Sequence, residues 1–442
     1  MDAGEGRGLK GYRGTLLHFL DDPFVVGEEE ACAHVADGLL VVDGQGRVVS
    51  AGPWSQGAAE GLEVVDWRGC LLVPGFVDTH IHYPQTAILA AYSGQVLEWL
   101  EQSAFPEEER FAEEAYARRV ADVFLKELFR NGTTTASVFC TVHPPSVNAF
   151  FEAAEAVQAR MVAGKVMMDR NGPVGLLDTP QRAYDESKAL IERWHDRGRA
   201  RYSLTPRFAP TSTEAQLEMI GALRVEFPQV HLQTHISENP AEIAWVKSLF
   251  GHLKPNLDYL DVYDHYGLLG PGTILAHGVH LEERDLQRMA ESHTALAFCP
   301  MSNLFLGSGL LPVWDVLRSQ RPVRLSLATD VGGGNRFSML QALNEGYKVA
   351  HLRGRGFTPL QGFYLATLGG ARALGLDDRI GSFQPGREAD FVVLDPKATP
   401  IQAFRLERHD SLQDRLFTLM MLGDDRSVRA TYVLGQRVHG QA

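Results

Sequence analysis

The middle of the chain predicts an α/β fold built on a (β/α)8 barrel of the TIM type. Between about residues 71 and 375, apolar or β-branched runs alternate with amphipathic stretches such as FAEEAYARRVADVFLKELFRNG. Eight such units are the number that closes a parallel barrel. An open doubly wound sheet is the alternative, but no GxGxxG turn follows the first strand. The eight candidate strands are LLVPGFVDTHIH, GTTTASVF, RMVAGKVMM, RYSLTPRF, VHLQTHIS, TILAHG, ALAFCP and RLSLATD.

Both ends of the chain are rich in short strands and turns. GLLVVDGQGRVVSAG has two apolar runs around turn residues, which predicts a β-hairpin. IGSFQPGREADFVVLDP and RSVRATYVLGQRV near the other end have the same character. We therefore expect residues 1–70 and 376–442 to pair into a small β-sandwich domain beside a barrel of residues 71–375. A chain of 442 residues is long enough for both.

The composition excludes several classes of partner. The formal net charge is −13, and the 42 Lys and Arg are dispersed, which disfavours a nucleic-acid partner. The four cysteines form no CxxC pair, which is typical of free thiols in a reducing cytoplasm. The initial MDAGEGRGLKGYRG lacks the apolar core of a signal peptide, and no apolar run is long enough to span a membrane. We expect a cytoplasmic protein without a membrane partner.

Alternation within three strands predicts which side chains point into the barrel. Residues two apart in a strand share a face, and the aliphatic residues between them would meet the surrounding helices. We therefore expect the polar or small faces to line the interior. These faces are Ser203, Thr205 and Arg207 in the fourth strand, His231, Gln233 and His235 in the fifth, and Ser326, Ala328 and Asp330 in the eighth.

Histidine and acidic residues recur where the candidate strands end. The set is His80, His82, His235, Glu238, His277 and Asp330. Because strand ends of a parallel barrel converge on one mouth, these distant positions would form one pocket. Imidazoles with a carboxylate suit a catalytic zinc or ferrous ion. Glu238 is the candidate proton carrier, and His277 is either a further ligand or a hydrogen-bond donor beside the metal.

Three of these patterns also have other interpretations. An HxH pair is weak by itself in a chain with 16 histidines, and it gains weight from the ligands at later strand ends. His231 and His235 have an HxxxH spacing, but the surrounding β-branched alternation predicts a strand rather than a zincin helix. We expect His231 to fill the barrel. ATDVGGG lacks the lysine and hydroxyl of a phosphate-binding loop, which favours Asp330 as a metal ligand.

A series of motifs along nearly the whole chain resembles a known group of enzymes. They are PGFVDTHIHYPQ, LEWLEQSAFPEEERF, NGTTTA, GKVMMDRN, LTPRFAP, THISEN, AHGVHL, CPMSNLFLGSG, LATDVGGG and LATLGGARALGL. In this order they are similar to the amidohydrolase superfamily. HIHYPQ, LEWLEQSAFPEEERF and TPRF narrow the resemblance to its guanine deaminase family.

The resemblance implies a metal site and a substrate site. It implies one zinc held by His80, His82, His235 and Asp330, with His277 at the edge of the ligand set, although iron could replace zinc on such ligands. No carboxylated lysine is expected from Lys165. The residues implied to contact guanine are Gln85, Arg207, Phe208, His235, Glu238 and Asp330.

The implied reaction is hydrolysis of guanine to xanthine and ammonia in purine catabolism, by a homodimer. Asp330 would take a proton from water, Glu238 would protonate the ring nitrogen beside C2 and later the departing amine, and His277 would hold the oxygen at C2. One alternative is a deaminase of another amino-heterocycle, such as 8-oxoguanine, a pterin or a triazine. A second is a catalytically dead scaffold, which the complete ligand set disfavours.

Overall fold

The computed structural model describes residues 8–92, 94–317 and 322–440. The strands in these ranges are β1 (Lys10–Phe19), β2 (Cys32–Val42), β3 (Val48–Pro53), β4 (Glu63–Pro74), β5 (Phe76–His82), β6 (Thr133–Phe139), β7 (Arg160–Gly164), β8 (Val166–Met167), β9 (Arg201–Pro206), β10 (His231–Ile236), β11 (Thr273–His277), β12 (Ala295–Phe298), β13 (Leu325–Leu327), β14 (Phe391–Leu394), β15 (Val428–Val433) and β16 (Gln436–Gly440).

The helices are α1 (Glu28–Ala31), α2 (Val96–Trp99), α3 (Phe105–Glu109), α4 (Glu114–Arg130), α5 (Pro144–Ala156), α6 (Pro180–Trp194), α7 (Glu214–Glu226), α8 (Pro240–Phe250), α9 (Tyr259–His265), α10 (Glu283–Ser292), α11 (Pro300–Phe305), α12 (Val313–Val316), α13 (Met339–Leu352), α14 (Pro359–Leu365), α15 (Leu368–Ala373), α16 (Pro400–Arg405) and α17 (Leu412–Leu422). A π-helical turn, Leu100–Ala104, joins α2 to α3. Within the described ranges, no helix is both long and apolar enough to cross a membrane.

Eight parallel strands form the predicted barrel, which is thereby confirmed. Their hydrogen-bonded order is β5, β6, β7, β9, β10, β11, β12 and β13, and the two-residue β8 also pairs with β9. The first and last strands meet through backbone bonds: Asp330 N donates to His80 O (2.9 Å) and His82 N donates to Val331 O (3.1 Å). The same two bonds bring the end of β13 against the HxH pair.

Polar side chains fill the barrel as the alternation predicts. Gln233 accepts a hydrogen bond from Ser137 Oγ at 2.7 Å and donates to Val138 O at 2.9 Å. His231 Nε2 lies 2.8 Å from Leu374 O, so this histidine fills the barrel base rather than joining the strand-end cluster. The amide of Gln233 is thus satisfied and can be buried without a large desolvation cost, whereas His231 Nδ1 is buried with no partner among the described residues.

The two chain ends pair into a separate sheet, which confirms their predicted association. Its seven strands have the order β16, β15, β14, β4, β1, β2 and β3, with β1 and β4 parallel and the remaining pairs antiparallel. The predicted hairpin is β2–β3. Around its core, the rings of Phe391 and Tyr432 stack with centroids 4.3 Å apart.

The first predicted strand belongs to two elements. β4 continues to Pro74 in the small sheet, and β5 of the barrel begins at Phe76. Gly75 between them lies so close to β6 that a Cβ there would be 2.0 Å from Thr134 Oγ1, which explains the need for glycine. The domain boundaries after residues 70 and 375 stay predictions.

A cluster of buried ion pairs joins the barrel to the segment leading into β14. It consists of Arg160, Arg199, Glu388 and Asp390, here called the basal network because Arg160 begins β7. Glu388 accepts from Arg160 Nε at 2.6 Å and from Arg199 Nε at 3.1 Å. Arg199 also pairs with Asp390, which accepts from Leu434 N at 2.8 Å. The network lies at the end of the barrel opposite the strand-end residues.

Candidate active site

The predicted ligands converge at the carboxyl ends of the barrel strands. His80 and His82 end β5, His235 lies near the end of β10, and Asp330 follows β13. His82 Nε2 is 3.3 Å from His80 Nε2 and 3.2 Å from His235 Nε2. Asp330 Oδ1 is 3.3 Å from His80 Nε2 and 3.4 Å from His82 Nε2. Residues up to 250 positions apart in the sequence therefore present four donor atoms to one point.

These four atoms fit a metal ion. Zinc–nitrogen bonds of about 2.0–2.1 Å place tetrahedral ligand atoms roughly 3.3–3.4 Å apart. His235 Nδ1 lies 2.6 Å from the carbonyl oxygen of Arg207, so its proton is on Nδ1 and the lone pair of Nε2 faces the cluster. Burial lowers the pKa of His82 and His235 well below the ordinary value, which keeps both imidazoles neutral, as ligands must be.

Asp330 presents its two oxygens to different neighbours. Oδ1 faces the His80 and His82 nitrogens, whereas Oδ2 lies 3.8 Å from His277 Nε2. Burial would raise the pKa of Asp330, but the surrounding imidazoles, His80 foremost, outweigh it and hold the pKa at about 2. The carboxylate is therefore ionised at neutral pH. Its backbone φ of 49° lies in the left-handed region, where a non-glycine residue is strained.

His277 and Glu238 face each other beside the cluster. His277 Nδ1 is 2.9 Å from Asn303 Oδ1, and its Nε2 has no hydrogen-bond partner but lies 3.6 Å from Glu238 Oε2. Glu238 Oε1 accepts from Ser308 Oγ at 3.0 Å. Burial raises the pKa of Glu238. Burial opposes a charged His277, but the carboxylates of Glu238 and Asp330 outweigh it and raise its pKa. Glu238 is therefore easier to protonate, and His277 harder to deprotonate, than the free side chains.

The cavity wall beside His82 carries the predicted substrate residues, and Gln85 Nε2 is 3.4 Å from His82 Nδ1. Gln85 and Arg207 are buried, and both contact the carboxylate of Glu108: Gln85 Nε2 donates at 2.8 Å and Arg207 Nη1 at 2.5 Å. Phe208 lies beside them. These residues line one cavity. Its lining consists of His82, Gln85, Val96, Leu97, Trp99, Leu100, Arg207, Phe208, His235, Glu238, Glu242, His277, Leu306, Asp330 and Gly333.

Known proteins share this architecture over its full length. Residues 71–438 match the family described as Amidohydrolase family. Guanine deaminase of Escherichia coli is 51% identical over 98% of this chain and 98% of its own. The chain belongs to the guanine deaminase family of amidohydrolases. The structure of the E. coli enzyme has a TM-score of 0.94 at 50% identity and covers 98% of this chain and 100% of its own. Guanine deaminase from C. acetobutylicum with guanine bound in its active site has a TM-score of 0.87 at 28% identity, with coverages of 98% and 100%.

Membership of the guanine deaminase family confirms the predicted resemblance, and the structure brings all nine predicted site residues around one cavity. His80 is buried behind the lining residues, at the cluster already described. Lys165 lies elsewhere: its ammonium pairs with Asp178 and is 3.4 Å from Glu186. The individual roles of the site residues stay predictions.

Four contributors were not predicted from the sequence. Glu108 bridges Gln85 and Arg207, while Asn303 and Ser308 contact His277 and Glu238. All three lie in the stretches LEWLEQSAFPEEERF and CPMSNLFLGSG, so the motifs of the guanine deaminase family were their only signal. Cys299 also lies within 4.8 Å of the donor atoms of His80, His277 and Asp330. Burial raises the pKa of its thiol well above the ordinary value, which disfavours the thiolate needed for a ligand.

Proposed function

We propose that this chain is a zinc-dependent guanine deaminase that hydrolyses guanine to xanthine and ammonia in purine catabolism. The observation that carries the proposal is the convergence of four metal-ligand atoms, Glu238 and the Gln85–Arg207 wall on one cavity. Nitrogen and oxygen donors in this number suit zinc, with ferrous iron as the alternative ion. The high identity to guanine deaminase of E. coli supports the choice of substrate.

The cavity walls bind and orient a flat heterocycle. Phe208, Trp99 and Leu100 supply apolar surface against which a flat ring can pack. Arg207 presents planar N–H donors, which suit the carbonyl oxygen of guanine. Adenine has an amine at that position, so it would leave a buried guanidinium without an acceptor.

The chain positions two carboxyl groups for opposite roles. A metal ion bound by the histidines and Asp330 would supply activation of a water molecule near pH 7. Asp330 is ionised, and its Oδ2 faces His277 rather than His80 and His82. This oxygen therefore accepts the proton of the attacking water. Glu238, whose pKa burial raises, donates a proton to the ring nitrogen beside C2.

Glu238 and His277 complete the reaction. Protonation makes C2 electrophilic, and attack there gives a tetrahedral carbon that bears the new hydroxyl group and the amine; negative charge develops on the hydroxyl oxygen as it loses its proton. His277 Nε2 has no hydrogen-bond partner within the described part of the chain and, because its pKa is raised, can donate a hydrogen bond to that oxygen. Glu238, now ionised, takes the proton of the new hydroxyl group and carries it to the amine at C2; the C–N bond breaks, C2=O forms and ammonia leaves. The proton that Asp330 accepted then returns to Glu238.

Metal analysis and ammonia release from the same purified sample test the proposal. We expect about one zinc per chain, and ammonia from guanine in preference to 8-oxoguanine, adenine and cytosine. His80→Ala should lose metal and activity together. Faster turnover of 8-oxoguanine would favour the alternative that the enzyme deaminates another amino-heterocycle. Absence of ammonia from every substrate would favour the alternative that the protein is a catalytically dead scaffold.

Two further properties belong to the proposal. A cytoplasmic location is supported by four free thiols, at Cys32, Cys70, Cys140 and Cys299. A homodimer is supported by the resemblance to guanine deaminases alone, and sedimentation equilibrium of the purified protein tests it.

A further inference from the structure

Glu108 is a buried carboxylate whose two oxygens both face the substrate wall. It lies on the short α3 and is 2% exposed. Oε1 accepts from Gln85 Nε2 at 2.8 Å, and Oε2 accepts from Arg207 Nη1 at 2.5 Å. Because one rigid group contacts both residues, it fixes them relative to each other.

The contact with Glu108 decides which way the Gln85 amide points. An ionised carboxylate can only accept hydrogen bonds, so the NH₂ of Gln85 must face it. The amide oxygen is thereby turned away toward Gly332, where a Cβ would lie 2.8 Å from it. Gln85 Oε1 is buried and has no hydrogen-bond partner among the residues that the structure describes. A buried acceptor left without a donor is costly, which points to a ligand as its partner.

Glu108 also determines how Arg207 meets a ligand. The guanidinium is held at one nitrogen by Glu108 and lies 5.1 Å from the ring centroid of Phe105, so its plane is restrained. The carboxylate balances the buried positive charge. Arg207 therefore offers hydrogen-bond donors to a neutral carbonyl rather than a binding site for an anion.

We propose that Glu108 is a positioning residue that determines substrate specificity. By orienting Gln85 and Arg207 together, it presents an acceptor beside donors, which is the complement of a lactam edge with an N–H next to a C=O. Guanine has this edge, and an aminopurine without the carbonyl does not. The inference rests on the proposed function, because it concerns how the same cavity selects its substrate.

Glu108→Gln tests the inference, because an amide at this position can donate as well as accept and no longer forces the Gln85 orientation. We expect kcat/KM for guanine to fall at least about tenfold, mainly through KM. The inhibition constant of 2-aminopurine, which keeps the C2 amine but lacks the carbonyl and the N1–H, should change less than about threefold. Selectivity between the two purines should therefore fall.

Glu107→Gln is the matched control. Glu107 is the preceding residue of α3, but its carboxylate pairs with Arg110 at 3.0 Å and accepts from the Tyr116 hydroxyl, away from the cavity. This substitution should leave the guanine to 2-aminopurine ratio unchanged. Metal content and melting temperature of each variant show whether the site remains assembled. If Glu108→Gln does not fold, Glu108→Asp, which keeps the charge but cannot reach both partners, should show the same selective loss.

A double-mutant cycle separates positioning from general support. If Glu108 acts through Gln85, part of the Glu108→Gln effect on guanine must disappear in a Gln85→Ala background. Full additivity of the two changes, or a selectivity ratio equal to that of Glu107→Gln, would overturn the inference while leaving the deaminase reaction intact. Absence of ammonia release from guanine by the wild-type enzyme would instead overturn the proposed function and this inference with it.

Discussion

Two buried glutamates at opposite ends of the barrel show how surroundings decide the role of the same side chain. Glu388 in the basal network is bonded to Arg160 and Arg199, whereas Glu238 at the mouth is bonded to the Ser308 hydroxyl and faces His277. Burial would raise the pKa of Glu388, but the two guanidinium groups outweigh it and lower the pKa to about 2. At Glu238 burial prevails and raises the pKa. Glu388 is therefore ionised at neutral pH, whereas Glu238 is easier to protonate than a free glutamate.

The two ends of the barrel also differ in whether their buried polar atoms have hydrogen-bond partners. Every side chain of the basal network has protein partners on its charged atoms. At the mouth, His277 Nε2 and Gln85 Oε1 are buried without partners, and His277 and Asp330 have left-handed backbone conformations with φ of 74° and 49°. Such costs persist where a ligand or a reaction uses them. Substitutions at the two ends should therefore change different quantities: activity at the mouth and stability at the base.

Glu238→Gln should have the largest effect, and it should fall on activity alone. The amide keeps the shape and much of the hydrogen bonding of Glu238 but cannot carry a proton. General acid–base catalysis is worth typically about 10²–10⁴ in rate, and two proton transfers use this group, so kcat for guanine should fall at least about 10³-fold. Ammonia release at saturating guanine, with metal content measured on the same sample, checks this. A change below about threefold would show that the buried Glu238 does not carry the proton, and loss of metal would make it part of the metal site.

Glu388→Gln should produce the converse result. It removes one of the two carboxylates that balance the buried charges of Arg160 and Arg199. Breaking a buried ion pair typically costs about 3–5 kcal/mol of unfolding free energy. Because the network is remote from the cavity, kcat for guanine in the folded variant should stay within about threefold of wild type. Urea denaturation and steady-state kinetics together measure both quantities. A large kinetic loss at unchanged stability would contradict the separation of the two ends.

The basal network should also make stability depend on acid pH. The pKa of Glu388 is lowered from 4.5 to about 2, so its contribution is present above pH 4.5 and is lost as the pH falls toward 2. At about 1.4 kcal/mol per pKa unit, the loss attributable to this residue is about 3 kcal/mol. The unfolding free energy of wild type should therefore fall more steeply below pH 5 than that of Glu388→Gln. Parallel curves for the two proteins would show that Glu388 does not titrate with folding.

The sequence predicts the mouth of the barrel better than its walls. Strand-end positions are local features, since a β-branched run followed by His or Asp marks both a strand and its exit, and barrel topology then brings His80, His235 and Asp330 together. Glu108 has no such mark. It lies on the irregular α2–π–α3 segment between β5 and β6, and its role depends on how that segment folds over the mouth. Sequence periodicity carries no information about that path.

Cys299 and Gly75 are two further features that the sequence pattern does not predict. The thiol of Cys299 lies near the cluster because β12 ends beside β13. The sequence predicts the order of these strands but not the distance of the thiol from the cluster. The change from β4 to β5 at Gly75 falls inside one continuous apolar run, so hydropathy could not separate the two elements. In both cases the missing information is a contact between distant segments.

Arg207→Lys should have the smallest effect of these variants, and it compares an arginine at the mouth of the barrel with one in the basal network. Lysine keeps the charge beside Glu108 but loses the planar fork and part of the contact with Phe105, so kcat/KM for guanine should fall by about ten- to a hundredfold. Because the buried charge remains paired, the melting temperature should change by only a few degrees, on the order of 1 kcal/mol. Arg199→Lys in the basal network is the matched control: the same change there should lower the unfolding free energy and leave kcat/KM unaltered. Steady-state kinetics and thermal unfolding of both variants give the four values. Equal kinetic losses in the two variants would mean that the barrel transmits the change between its ends, whereas an unchanged kcat/KM in Arg207→Lys would remove Arg207 from the substrate wall.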